Sequence, residues 1–402
     1  MERVISLLGL LIFVIISYGF SVNRRAVRWR PVLWGIALQF IFAVFILKTA
    51  LGLAIFQFLG DVVSGFLNFS DVGAKFVFGD KFAEHLIAFK VLPTIVFFSS
   101  FIALLYHYGI LQKVVQWVAW GMVRTMKTSG SETLSCAANI FVGQTEAPLI
   151  IKPFLETLTM SELHAVMTGG FATIAGGVMA GYISFGVPAE HLIAASVMSA
   201  PAALAISKIF YPETEKSVTA GEVTLKVEKV YANAVDAAAT GARDGGILAL
   251  NVAAMLIAFL GLLAMLNGFL GWVGSGFGLP QLSLEWVLSF VMWPVAWLMG
   301  IPLADCGQVG VLLGKKTILN EFIAYLDLKT LMEKKAISER AIIITTYALC
   351  GFSNIGSIGI QIGGIGGIAP LRQADLARLG FRAMIAGSIA CFMTACIVGI
   401  LL

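Results

Sequence analysis

The sequence predicts an all-α membrane protein in which eight transmembrane helices and two re-entrant helical hairpins form inverted repeats. Three observations predict it: an apolar composition, a set of hydrophobic windows long enough to cross a bilayer, and an acidic motif that recurs once in each half. Hydrophobic residues make up 59% of the chain and charged residues only 12%, with a mean hydropathy of +0.92. Soluble domains carry roughly 25% charged residues.

A helix needs about 20 apolar residues to cross the hydrocarbon core. Windows at 3–22, 31–51, 87–107, 164–185, 190–210, 246–272 and 376–402 meet that requirement, and a weaker one at 341–362 brings the count to eight. The first window lacks a basic run before it and a small-residue cleavage site, so it reads as a retained helix rather than a signal peptide. Arg24, Arg25, Arg28 and Arg30 follow it. By the positive-inside rule that loop is cytoplasmic and the N-terminus lies outside. Lys113, Arg124 and Lys127, then Arg372, Arg378 and Arg382, fall in cytoplasmic positions after alternation. The net charge of +4 therefore reports topology rather than nucleic-acid binding. Segments 52–80 and 274–300 read as amphipathic elements at the membrane surface.

The polar stretch 211–246 mixes acidic and basic residues and reads as a cytoplasmic linker dividing the chain. The five cysteines form no C-x-x-C pair and predict neither a disulfide nor a metal framework. "GVLLGKKT", from Gly310, has three residues instead of four between its glycines and is not a P-loop. "GFSNIG", from Gly351, misses the G-x-S-x-G nucleophile elbow by one position.

The two halves share four features in one order. "VAWGM" at 118–122 matches "VAWLM" at 295–299, and Thr145-Glu146 matches Asn320-Glu321. "SEL" at 161 matches "SER" at 338, and "GFATIAGG" at 170–177 matches "GFSNIGSI" at 351–358. Each half thus predicts a surface helix, a short hairpin carrying a Glu, and a helix broken around Gly. If the first hairpin enters from the cytoplasm, three intervening spans make the second enter from outside, so the repeats are inverted. That pattern points to a binding site near the bilayer midplane, where irregular backbone lines a cavity.

A carboxylate at membrane depth is costly unless it faces a polar cavity or partner, which marks Glu146 and Glu321 as functional candidates. Gly143 and Pro148 break the helix beside Glu146 and free backbone groups to meet a ligand. A channel would repeat charged rings or carbonyl filters around an axis, whereas this chain has two unequal sites. An acid–base pair of Glu146 and Glu321 would lack any accompanying nucleophile or metal set, so no enzyme is expected.

"NIFVGQTEAP" at 139–148, "NEFIAY" at 320–325 and "GFSNIGSIGIQIGG" at 351–364 resemble the concentrative nucleoside transporter family, specifically its sodium-coupled bacterial branch. The resemblance covers essentially the whole chain. It implies a homotrimer in a bacterial inner membrane that imports nucleosides such as uridine with sodium by an elevator movement. It further implies N-terminal scaffold helices at 1–110, a first transport repeat at 111–210, the linker at 211–245, a scaffold helix at 246–275 and a second transport repeat at 276–402.

By the same resemblance, Gln144, Thr145 and Glu146 face the nucleobase and Val178 walls it. Glu321, Asn354 and Ser357 hold the ribose, with Phe352 packed against the ligand. Asn139 and Thr173 supply side-chain oxygens, and Val142 and Ile174 backbone carbonyls, to a sodium ion, a hard-oxygen set suited to an alkali cation. Sodium is then a transported ion, and no cofactor is expected. A proton-coupled carrier or a nucleobase carrier of similar fold is the neighbouring reading.

Overall fold

The computed structural model describes residues 1–221 and 231–402. The part of the expected linker at 222–230 lies outside the described residues, among which no strand occurs.

Two apolar helices, α1 (Glu2–Gly19) and α2 (Trp29–Lys48), flank a short turn holding Arg24 and Arg25. Thr49 caps α3 (Ala50–Leu67), and α4 (Ser70–Phe78) follows after one turn. A π-helical turn, Leu86–Val91, leads into α5 (Leu92–His107), which has Pro93 in its first turn, where no amide is missed. Left-handed Gly109 and Lys127 bound α6 (Ile110–Met126).

The first hairpin is α7 (Gly130–Ala138), held by a Ser129/Glu132 capping box, and a 3-10 segment Ala147–Thr157 that Pro148 and Pro153 keep from becoming a regular helix. After it come α8 (Met160–Ala172), α9 (Gly176–Ser184) and α10 (Ala189–Phe210). Then α11 (Ala234–Gly276) begins inside the stretch expected as linker, with Asn233 as its cap. Short α12 (Leu284–Val291) and α13 (Trp293–Leu298) precede the second hairpin, α14 (Cys306–Ile318) and α15 (Glu321–Glu333). The chain ends with α16 (Glu339–Leu349), α17 (Ile355–Ile368) and α18 (Gln373–Leu401).

Among the described residues, eight helical stretches are long and apolar enough to cross a bilayer, but the set differs from expectation by one. The window at 341–362 is split between α16 and α17, and 50–78 takes its place by length and hydropathy. Three contacts fix 50–78 against its neighbours. A Cβ on Gly60 would meet Glu190 at the start of α10, Ser70 bonds Thr94 at the start of α5 over 2.9 Å, and Asp71 pairs with Lys90 at 3.3 Å. These contacts tie α3 and α4 to the first turns of α10 and α5, and by length and hydropathy 50–78 is a candidate span where a surface element is expected.

The helix α18 serves as a ruler for the inversion. At its start, Arg372 donates to the Leu158 carbonyl, two residues before α8, over 2.6 Å. Near its other end, the Gly399 carbonyl accepts from Arg340, at the start of α16, also over 2.6 Å. The pairs α8–α9 and α16–α17 therefore enter the body from opposite faces.

Both α10 and α18 are enclosed, whereas α11 is buried over only 17% of its apolar window. At 43 residues α11 is about 65 Å long, well beyond the hydrocarbon thickness. It packs on α5 through a stripe of small residues, Ala237, Gly241, Gly245 and Ala249. A Cβ on Gly241 would stand 2.6 Å from the Ala103 Cβ, so glycine is what allows the two backbones to approach.

The base of the first hairpin is locked by a buried ionic cluster. Lys208 of α10 pairs with Glu132 at 2.6 Å and donates to Ser161 at 2.8 Å. Thr219, beyond α10, bonds Ser131 at 2.9 Å, and Ser217 donates to Glu162 at 2.6 Å.

Candidate functional site

Both long helices that the sequence marks as broken do break, and the breaks meet. Residues 173–175 separate α8 from α9 and residues 350–354 separate α16 from α17. The Phe352 amide donates to the Thr173 carbonyl at 3.1 Å, and the Ser353 hydroxyl donates to the Phe171 carbonyl at 3.1 Å. Backbone groups orphaned by one break are thus partly satisfied by the other.

Each hairpin tip docks on the far half of the opposite broken helix. The first tip reaches α17 through Gln144, which donates to Ser357 at 3.3 Å and accepts from Gln361 at 3.0 Å. The second tip reaches α9 through Glu321, whose carboxylate accepts from the Tyr182 hydroxyl at 2.9 Å. Asn354 donates to the other Glu321 oxygen at 3.2 Å and uses its own carbonyl to cap α17 on the Ser357 amide at 2.8 Å. Asn320 caps α15 in the same way, on the Ile323 amide at 2.9 Å.

The result is one buried polar chain, Gln361–Gln144–Ser357–Asn354–Glu321–Tyr182, joining both hairpins and both broken helices. Glu321, Asn354 and Ser357 are each buried. A carboxylate, three amides and two hydroxyls held this way offer donors and acceptors to a polar ligand that can exchange places with their mutual bonds.

The other expected residues divide. Glu146 is exposed and lines a cavity of about 890 Å³ together with Val142, Gly143 and Gly176 from the tip and break, and Ser99, Tyr106 and Asp244 from α5 and α11. Thr145 is half-buried, its methyl packed where a Gly364 Cβ would stand. Val178 is buried one turn before Tyr182 on the same side of α9, and half-buried Phe352 lies in the second break.

Asn139 and Thr173 converge on Gly169 of α8. The Thr173 hydroxyl donates to the Gly169 carbonyl at 2.9 Å, and the Asn139 amide nitrogen lies 3.3 Å from where a Gly169 Cβ would stand. Asn139 donates to the Ser135 carbonyl at 3.1 Å, while its buried Oδ1 has no hydrogen-bond partner among the described residues. Among the described residues, no donor bonds the carbonyls of Val142 or Ile174. An orphaned buried oxygen, with donor-free carbonyls three residues after Asn139 and one after Thr173, is a set that a cation can satisfy.

Tyr182 and Gln361 were not foreseen. The signal was present, since Gln361 is the single amide in "IGIQIGG" and Tyr182 the single phenol in the apolar run after "GFATIAGG".

Paired re-entrant tips meeting at crossed helix breaks inside an inverted helical body define a membrane transporter built from inverted repeats. Three family profiles account for most of the chain: Na+ dependent nucleoside transporter N-terminus over 8–81, nucleoside recognition over 88–189, and Na+ dependent nucleoside transporter C-terminus over 191–399. The chain belongs to the sodium-dependent, or concentrative, nucleoside transporter family. The family is one of transporters, not enzymes.

Solute carrier family 28 member 3 of Eptatretus stoutii is 49% identical over all of this chain and 61% of its own length. The Homo sapiens protein of that name is 47% identical, covered over 60%, and sodium/nucleoside cotransporter 1 of Mus musculus is 46% identical, covered over 64%. The chain therefore spans less than two thirds of these relatives. Among solved structures, CNTnw in an inward-facing substrate-bound state matches with a TM-score of 0.94 and 38% identity, over 100% of this chain and 98% of that one. An outward-facing double variant of CNTnw matches with a TM-score of 0.95 at the same identity, over 100% of this chain and 99% of that one.

Proposed function

We propose that this protein is a sodium-coupled nucleoside symporter that imports nucleosides such as uridine by an elevator-type alternating-access movement. The observation that carries the reading is the buried polar chain from Gln144 to Glu321, which joins both hairpin tips at the crossed breaks.

A nucleoside has an apolar ring with a polar edge and a sugar bearing hydroxyl donors. In this reading Glu321, Asn354 and Ser357 take the ribose, because an ionised carboxylate accepts only and a hydroxyl donates. Gln144, Thr145 and Glu146 read the base edge from the first hairpin, with Val178 and Phe352 as apolar walls. The ligand replaces the bonds these groups now make to one another.

Sodium binds through Asn139 Oδ1, the Thr173 hydroxyl oxygen and the carbonyls of Val142 and Ile174. It is cargo, and the protein needs no cofactor. Because Val142 and Gln144 share the hairpin tip, an ion there orders the segment that receives the base, and the two ligands raise each other's affinity reciprocally.

The moving body comprises the repeats at 111–210 and 276–402, carried against scaffold helices at 1–110 and 246–275 with 211–245 as the connection. Exposed α11 gives the scaffold an apolar face for the bilayer and for the homotrimer implied by the family resemblance. Arg24 and Arg382 beside the end of α1, and Arg372 at the start of α18, lie toward one end of the body, which supports a cytoplasmic assignment of that end in a bacterial inner membrane with the N-terminus outside.

The test is uptake of labelled uridine into proteoliposomes under an inward sodium gradient, a proton gradient, or neither, with Glu321→Gln alongside. Sodium-driven accumulation that the variant loses supports the reading. Proton-driven accumulation moves it to the proton-coupled class, and no uptake by folded protein removes the nucleoside.

A further inference from the structure

Gln361 lies outside every role assigned above, and it is wholly buried. Its Nε2 donates to two acceptors, the Met167 backbone carbonyl at 3.1 Å and Gln144 Oε1 at 3.0 Å. Its own Oε1 has no partner among the described residues. A backbone carbonyl can only accept, so the amide end facing Met167 must be the NH₂ end. That same NH₂ then faces Gln144, which must answer with its oxygen. The polarity of the Gln144 amide is thus set by a main-chain group of α8 two steps away.

We infer that Gln361 is a positioning residue that locks the Gln144 amide with its NH₂ toward the ligand, so that the nucleobase edge meeting it must be an acceptor. The fold supports this relay structurally. Gly170 of α8 leaves room for it: a Cβ there would stand 2.7 Å from Gln361 Nε2 and 2.9 Å from the Gln144 Cβ. Ser357, Gln361 and Gly364 lie at i, i+4 and i+7 of α17, one face of a helix, and these three positions meet Gln144, Gln144 and Thr145. The NH₂ of Gln144 is turned toward Ser357, to whose hydroxyl it donates at 3.3 Å, on the side where the ligand is placed.

The consequence is a rule of base choice. A ring carbonyl at the edge facing Gln144 receives a hydrogen bond, whereas an exocyclic amino group there sets donor against donor. Discrimination of that kind is strong because a buried polar group is left unpaired. Uridine and cytidine differ by this exchange at ring position 4, the edge this inference sets against Gln144, and by the opposite exchange at the adjacent ring nitrogen. The relay favours uridine.

The inference rests on the transport reading, and the experiment separates the two. Dissociation constants of uridine and cytidine are measured by calorimetry on the full-length purified protein in sodium, for the unmutated chain, Gln361→Glu and Gln361→Met. A carboxylate at 361 is repelled by the Met167 carbonyl and accepts from Gln144, turning that amide round. The uridine-to-cytidine preference then moves toward cytidine by about tenfold or more. Methionine keeps the side-chain volume, introduces no buried charge and only releases the amide, so the preference shrinks toward equality. Gly170→Ala, which crowds the same amide, shifts the preference in the same direction. Variants that bind with the unmutated ratio overturn this inference alone. An unmutated protein that binds neither nucleoside overturns the transport reading and the relay with it.

Discussion

Tyr182 donates its hydroxyl to Glu321 over 2.9 Å although the two stand 139 positions apart in the chain. The bond ties the half of the first broken helix beyond its break to the tip of the second hairpin. The Tyr182 ring also stacks on Tyr325 of α15, with centroids 4.2 Å apart, so the phenol is held on both its polar and apolar sides.

Tyr182→Phe keeps the ring contacts and removes only this bond. Hydrogen bonds to charged groups contribute roughly 1.5–3 kcal/mol. The expected outcome in chemical denaturation is a loss of that order. A double-mutant cycle with Glu321→Gln should show coupling of about 1 kcal/mol or more, since the residues are in contact. Strict additivity of the two changes would show that the pair does not form in the ligand-free protein.

Lys208 and Glu132 form a salt bridge of 2.6 Å, with side-chain exposures of 6% and 1%. Removing one member of such a pair strands the other in the interior, at a cost of about 3–5 kcal/mol. Lys208→Met should therefore be strongly destabilising, and more so because Glu213 and Glu162 lie in the same cluster. Pairing it with Glu132→Leu should recover most of the loss. The readout is the denaturation midpoint of the single and double variants at fixed sodium.

The stripe of small residues on α11 gives a prediction whose sign changes between neighbouring glycines. A methyl on Gly245 would stand 2.7 Å from the Ser99 Cβ, whereas one on Gly246 meets nothing within 4 Å. Gly245→Ala should destabilise by about 1–3 kcal/mol through overpacking. Gly246→Ala should stabilise by up to about 1 kcal/mol through helix propensity. Thermal unfolding of the two variants side by side checks both signs.

That stripe also shows where the sequence was legible and where it was not. The small residues at 237, 241, 245 and 249 recur every fourth position, but three of the four fall in the stretch assigned to a linker because Arg243 and Asp244 interrupt it with charge. Those charges sit on the exposed side of a helix, so charge density concealed a packing face. The hairpin tips and helix breaks were readable because Gly143, Pro148 and the Gly-rich runs at 170–177 and 351–364 interrupt apolar helices in ways local chemistry dictates. The partners of Gln144 and Glu321 were not. Gln361 lies 217 positions from Gln144, and choosing it over any other buried amide needs the crossing of α8 and α17 that only the fold supplies.

Asn139 carries the last prediction. Its Nδ2 is satisfied by the Ser135 carbonyl at 3.1 Å, whereas its buried Oδ1 is unpartnered among the described residues. Leaving a buried acceptor unpaired costs about 1–3 kcal/mol, so a ligand that satisfies it stabilises the protein when present. Sodium chloride should raise the melting temperature of the unmutated protein above its value in choline chloride at equal ionic strength, by an amount that grows with concentration as binding to the native state requires. Asn139→Ala removes the orphaned oxygen itself. In the variant the sodium-specific shift should vanish, while stability without sodium is preserved or improved, because the unpaired acceptor has gone. By reciprocity the variant should also lose whatever factor sodium adds to uridine affinity. A sodium shift that survives Asn139→Ala would place the ion elsewhere in the molecule, and an unmutated protein equally stable in both salts would separate ion binding from this site altogether.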